Sequence, residues 1–396
     1  MTLDEPVALH QLVYLEEGDE VTVGCAATET YAVLPPDGAA LVRMLGDGLT
    51  PREAAQRYRQ EYGEDVDIAD LLDGLRELGF VREADAPEPG EVAPVRWQRL
   101  GTALFSRPAM AAYAALTVAA LVETIRSPRL LPRTDHLFFT PYYSLIVLML
   151  FAGQAPLMAL HEAFHALAGR RLGLRSRLSV ARRLTYLVLE TSLDGLVTVP
   201  RRRRYLPILA GVLADLLAVD VLTLVADLTW RTGGVVAPLC LALSYATVLR
   251  IAWQGFFYLR TDVYVLLVTV LGCQDLHAAS ADLLRNRFRR ITGRRPPVDL
   301  SRHGAADLRA ARWYSWLMLV GYTFTLAMFL GVLVPTFARF AHDIWHRFSG
   351  HVSTAAQLDS FTLTALAVGE GLAVLWLAFR ERRAAQGATG GLARPA

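Results

Sequence analysis

The sequence predicts a polytopic α-helical membrane protein of about six transmembrane helices, preceded by a small soluble α+β domain. Three observations carry that expectation. Of 396 residues 53% are hydrophobic and 20% charged, with a mean hydropathy of +0.31, so the apolar content is gathered into blocks rather than spread evenly. Six blocks, at roughly 109–124, 143–168, 205–229, 235–258, 314–337 and 361–379, approach or reach the ~20 residues needed to cross a hydrocarbon core. The basic residues, all of them arginine, cluster in two of the segments between those blocks. A formal net charge of +2 gives no argument for a nucleic-acid partner. Cys25, Cys240 and Cys273 are far apart and form no CxxC pair, so neither a disulfide framework nor a thiolate metal site is expected.

Residues 1–84 read as the soluble domain. The opening MTLDEPVALHQ is acidic and lacks an apolar run, which argues against a cleaved signal peptide. LVYLEEGDEVTVGCA is apolar and β-branched. Thr50-Pro51 then caps REAAQRYRQEYG, a helix that ends at glycine. Ile68, Leu71, Leu72, Leu75 and Leu78 recur at helical spacing, so the second half of this domain is helical. ADAPEPGEVAP is rich in proline and acid, and residues 85–106 are read as a linker. The membrane domain is expected over 107–380 and a disordered tail over 381–396.

Arginine placement orients the spans. Ten arginines lie between residues 170 and 204 and nine between 274 and 312. The alternate segments hold only Arg126, Arg129 and Arg133, then Arg231, then Arg339 and Arg347. With six spans, both rich segments and both termini fall on one side, which the positive-inside rule assigns to the cytoplasm. Within the first rich segment, TYLVLETSLDGLVTV alternates around Asp194-Gly195, a hairpin signal that puts the turn at that dipeptide. VYVLLVTVLGC (263–273) is too short to span alone and either extends the fourth helix or forms a re-entrant piece.

The chemistry centres on LMALHEAFHALAGRRLG. His161 and His165, four residues apart, share one helical face and can share a Zn2+ ion, with Glu162 placed as general base. HExxH also occurs by chance on exposed helices. Here three ionisable side chains fall within five positions of an apolar span, where such groups are rare unless they serve a function. A catalytic zinc takes a third protein ligand and keeps an open position. Asp194, Asp215, Asp220 and Asp262 compete for that role. Asp262 is favoured because the topology puts it at the depth of the histidines; Asp194 doubles as a hairpin-turn residue. Asp215 and Asp220, five apart, face different ways, so at most one points into the site, Asp215 either orienting a histidine or substrate or forming an interhelical hydrogen bond. His342 and His346 lack the intervening glutamate and read as a surface pair, and His10, His136, His277 and His303 as solvated. Glu370 reads as a buried acid bonded between helices.

Taken in order, HEAFHALAGRRLG, the arginine-flanked hairpin, AGVLADLL and LRTDVYVLL resemble the site-2 protease family of intramembrane zinc metalloproteases, and in particular its bacterial peptide zinc metalloprotease branch. The resemblance covers roughly residues 140–285. It implies zinc held by His161, His165 and Asp262, with Glu162 catalytic. Two departures stand out: Asp262 is followed by Val263 where the family has LDG or DGY, and Gly211-Val212-Leu213-Ala214-Asp215 ends in aspartate where the family has asparagine. The segment from VTVGCAATET to LRELGFV is similar to a PqqD-type domain, a winged-helix-like module that recognises leader peptides of ribosomally made, modified peptides by adding them as a strand to a sheet edge.

These readings together imply a zinc endopeptidase of the bacterial cytoplasmic membrane that cleaves a peptide, the leader of such a precursor, delivered by the N-terminal domain. The lipid bilayer and a peptide are its expected partners, nucleic acid is not, and the oligomeric state is left open. Two alternatives stand beside it: a regulatory protease acting on a transmembrane substrate, and a non-catalytic membrane protein for peptide binding, export or immunity.

Overall fold

The structure, a computed structural model, describes residues 3–18, 20–25, 28, 30–82, 95–183, 186–193, 195–293, 298–335, 338, 342, 345 and 353–390. It is mostly helical, with a three-stranded antiparallel sheet near the N-terminus. Asp194, His346, His351 and most of the proline-rich linker lie outside the described residues. The chain divides into two compact units, the first comprising Met1–Met110, Ala163–Leu178 and Thr191–Gly211, the second Ala111–Glu162, Ser179–Glu190 and Val212–Ala396.

The first unit opens with β1 (Leu12–Glu17), β2 (Glu20–Cys25) and β3 (Thr30–Leu34), an antiparallel meander in that order. Alternation sends Val21, Val23 and Cys25 to one face, where α1 (Pro36–Gly46), α2 (Pro51–Tyr62) and α3 (Ile68–Glu77) cover them. Leu41, Val42, Leu45, Ala54, Leu72, Leu75 and Phe80 complete this core. The helix ends follow their sequence signals. Thr50 and Glu53 form a reciprocal capping box, Gly63 takes a left-handed conformation at φ +74° to end α2, and Asp67 accepts from the amides of Ala69 and Asp70. An isolated bridge between Leu9 and Val81 ties the domain's two ends together.

The same unit contains α4 (Gln98–Leu104), which occupies part of the segment expected to be linker. Gly101 lies against the backbone of Leu167 and 3.2 Å, measured from an added Cβ, from the Arg171 amide. A side chain has no room there. Phe105 stacks edge-on against Phe164 at 5.7 Å.

Among the described residues five helices are long and apolar enough to cross a membrane, or up to six if one bent pair counts as a span. They include α5 (Arg107–Arg126), α6 (Tyr143–Arg171), α7 (Arg201–Thr229), α8 (Val236–Trp253) and α11 (Ala305–Met328), the last continuing into a π-turn at Phe329–Leu333. The bent pair is α9 (Asp262–Leu271) and α10 (Leu276–Thr292), which meet at 86°. The 263–273 segment therefore starts its own helix after a 3-10 turn at Phe257–Leu259 instead of extending α8. The final helix α12 (Thr354–Gly390) covers the sixth predicted block and runs into the segment expected as a tail. Within the second unit Asp359 of α12 accepts from the Tyr143 and Ser144 amides, satisfying donors at the start of α6. Glu370 is exposed rather than buried between helices.

The predicted hairpin is present, as β4 (Ser176–Arg183) and β5 (Tyr186–Leu193), but its turn is misplaced in the sequence reading. Asp194-Gly195 follows β5 instead of linking the strands. Gly195 adopts φ +81° and starts a 3-10 turn at Leu196–Thr198, so the left-handed residue serves as the exit from the strand.

Candidate metal centre

Helix α6 delivers HExxH. His161, Glu162 and His165 are all buried, and a proline, Pro156, removes one helical donor five residues before His161. Each histidine is held through Nδ1. His165 Nδ1 lies 2.7 Å from the Pro207 carbonyl of α7. A carbonyl only accepts, so Nδ1 carries the proton and Nε2 of the neutral ring carries the lone pair. His161 Nδ1 lies 3.0 Å from Asp215 Oδ2, also on α7. With that carboxylate ionised, the same tautomer follows, and Nε2 is again the ligand atom.

Asp215 is 1% exposed, a burial that a lone carboxylate does not tolerate. Arg250 of α8 compensates it, donating from Nη2 to Oδ1 at 2.5 Å and from Nε to Oδ2 at 3.1 Å. Arg250 Nη1 also donates to Gln154 Oε1 at 2.6 Å. Gln154 in turn donates to the Leu243 carbonyl and to Thr247 Oγ1. The network thus runs from α6 through α7 to α8 and returns to α6 at Gln154, about two turns before His161.

Asp262 arrives from a different element. Thr261 caps α9, its hydroxyl accepting from the Tyr264 amide, and Asp262 is the first residue of that helix. Gln254 grips it twice: Nε2 donates to Oδ2 at 3.0 Å, and Oε1 accepts from the Asp262 amide at 3.0 Å. Oδ2 then stands 3.3 Å from His161 Nε2. His161, His165 and Asp262 offer one ligand atom each, all within 4.8 Å of one another.

This arrangement fits a metal ion on two counts. Both imidazole tautomers are set by partners on Nδ1, and the 3.3 Å separation matches an edge of about 3.3 Å in a tetrahedral shell with bonds of about 2.0–2.1 Å. Two imidazoles and a carboxylate form a donor set that suits zinc and neighbouring transition metals.

Of the competing aspartates, Asp262 joins the histidines and Asp215 holds His161 from behind. Asp220 faces elsewhere, accepting from Thr117 of α5 at 2.5 Å. Asp194 lies outside the described residues. Sequence reasoning passed over Arg250, Gln154 and Gln254, although an arginine within the apolar run LSYATVLRIAW was itself a signal. It also misjudged His303 as solvated: its side chain is packed against buried Asp282, with Nε2 3.1 Å from Oδ2. Comparison of the chain with protein-family models, curated proteins and solved structures returns no match.

Proposed function

We propose that this chain is a zinc endopeptidase of the bacterial cytoplasmic membrane, with both termini on the cytoplasmic side, and that it cleaves a peptide captured by its N-terminal domain. The observation that carries the reading is the meeting of His161, His165 and Asp262 among long apolar helices, with both histidine rings held at Nδ1. In this reading the apolar helices cross the bilayer and the arginine-rich segments lie in the cytoplasm.

Zinc, when bound, supplies Lewis acidity for a peptide carbonyl and makes water more acidic. His161, His165 and Asp262 are the residues that would hold it. Glu162, next to His161 on the same helix and buried, takes a proton from the attacking water and passes it to the leaving amine. Asp215 and Arg250 keep His161 in the ligating tautomer. The substrate class is an extended peptide, since a small sheet whose edges carry no further strand among the described residues binds chains by strand addition; the leader of a ribosomally made, modified peptide is the occupant we propose.

The test uses the purified full chain in detergent. One zinc per chain is expected by elemental analysis, together with cleavage of a synthetic peptide library that Glu162→Gln abolishes while keeping the metal. Undiminished cleavage by Glu162→Gln, or a wild-type protein that holds no stoichiometric metal, removes the reading.

A further inference from the structure

The first unit contains a contact that none of the roles above uses. In the register of the meander, Val13, Gly24 and Tyr31 share one face of the sheet with Leu15, Thr22 and Val33, and Glu17 pairs with Glu20 on that face. This is the face opposite the domain's core. It is nevertheless partly covered, for Thr22 is buried and Gly24 lies directly against the Thr198 side chain. The covering segment runs from the 3-10 turn Leu196–Thr198 into the start of α7, just after β5.

Glu17 fastens the two. Its Oε1 accepts from the Arg201 amide at 2.9 Å, and its Oε2 accepts from Arg201 Nε at 3.1 Å and Arg204 Nη2 at 2.8 Å. Arg204 is bound on its other side, donating to the Val197 carbonyl at 2.8 Å and to the Val199 carbonyl. The side chains of Glu17 and Arg204 are 17% and 12% exposed, so this pair is shielded from the solvent that makes surface ion pairs weak. One carboxylate of the small domain thereby fixes both the first turn of α7 and the backbone leading out of the β4–β5 hairpin. Three residues beyond Arg204 on the same helix, Pro207 offers the carbonyl that holds His165 Nδ1.

We propose that Glu17 is a positioning residue for the metal centre: by clamping Arg201 and Arg204 it sets the start of α7, and so the Pro207 carbonyl that orients His165. The N-terminal domain is then a built-in part of the metal site's support, through the face of its sheet, while the sheet edges stay available for a peptide strand. This inference rests on the metal-centre reading above. It extends that reading by making ligand geometry depend on a residue some 150 positions earlier in the chain (His165 minus Glu17).

Co2+ is the probe, because its visible absorption reports the arrangement of its ligands, and no substrate is needed. The full-length protein in detergent is titrated with Co2+ as wild type, Glu17→Gln, Glu17→Arg, the charge exchange Glu17→Arg/Arg201→Glu, and Glu16→Gln. Glu16, its exposed neighbour on β1, pairs with Arg43 at the surface and serves as control. Glu17→Gln and Glu17→Arg are expected to weaken Co2+ binding by about 10-fold and to alter its spectrum, as loss of support behind a ligand does. The charge exchange renews the pairing with position 201 but leaves a cation facing Arg204, so partial recovery of both is expected, which a general loss of stability would not allow. Wild-type affinity and spectrum in Glu17→Gln and Glu17→Arg overturn the inference alone and leave the metal centre standing. An equal loss in Glu16→Gln, or no recovery in the charge exchange, also overturns it. A wild-type chain that binds no Co2+ overturns the metal-centre reading, and this inference with it.

Discussion

Asp215 and Arg250 show how a buried charge is made tolerable and then put to use. The bidentate guanidinium neutralises the carboxylate, and the second lone pair of Oδ2 is left to hold His161. Removing either partner strands the other in a low-dielectric interior, at a cost of about 3–5 kcal/mol. Asp215→Ala is therefore expected to lower zinc affinity 10–100-fold, read by competition with a chelating dye. Arg250→Met should do the same although it touches no ligand; unchanged affinity would show that His161 needs no support from behind. A second pair, in the N-terminal domain, lends itself to a pH experiment. Tyr58 donates to Asp37 at 2.5 Å. That hydrogen bond holds the Asp37 carboxyl below its ordinary value and pushes the Tyr58 hydroxyl up to about 12. Because the folded-state value of Tyr58 lies above its unfolded value near 10, its contribution is complete below pH 10 and is lost as pH rises through about 12. Asp37, shifted the other way, contributes above its ordinary value and loses that contribution in acid. Tyr58→Phe should thus cost about 1 kcal/mol in denaturant unfolding at pH 7–9, with the difference from wild type shrinking at pH 11 and above.

Helices here meet where glycine lets them. Gly101 brings α4 onto the C-terminal half of α6, the half that carries His165, with only backbone of Leu167 and Arg171 on the other side. Backbone cannot rotate away as a side-chain tip does. Gly101→Ala is expected to destabilise by about 2 kcal/mol and to lower the melting temperature in detergent. Gly153 of α6 faces Leu243 of α8 within the second unit, where an added Cβ would lie 2.6 Å from Leu243 Cδ2. The leucine can rotate, so Gly153→Ala should cost less than Gly101→Ala; the reverse order in thermal melts would show that α8 is the less forgiving neighbour. The helix ends and the long apolar helices were legible in the sequence because caps and apolar length act locally: Thr50, Gly63 and the blocks of α5 to α8 read out as written. The hairpin turn was not. Asp194-Gly195 carries the same left-handed preference whether it closes a hairpin or ends a strand, and only strand pairing distinguishes the two.

For the whole chain, metal and fold should be linked, since the ligands come from α6 and α9 and an ion favours the state that brings them together. Stripping zinc with phenanthroline is expected to abolish cleavage and to lower the unfolding temperature. Re-adding zinc at about 100 times its Kd should return about 2.7 kcal/mol. A melting temperature indifferent to zinc would argue against a shared site. Deleting residues 1–84 is expected to raise KM for a long peptide and also to weaken metal binding, because Glu17 leaves with the domain.

The sequence alone specified the long apolar segments, the N-terminal α+β domain and the first two members of the metal cluster. Each depends on spacing within one element, which a linear string records directly: about 20 apolar residues for a span, four for two imidazoles on one face. Tertiary structure decided what joins elements distant in the chain. It brought Asp262 to the histidines, put Asp215 behind His161 and Asp220 against α5, and brought Arg250, Gln254 and the Pro207 carbonyl into supporting positions. A carboxylate in an apolar helix announces that it needs a partner, and only packing determines which partner it meets.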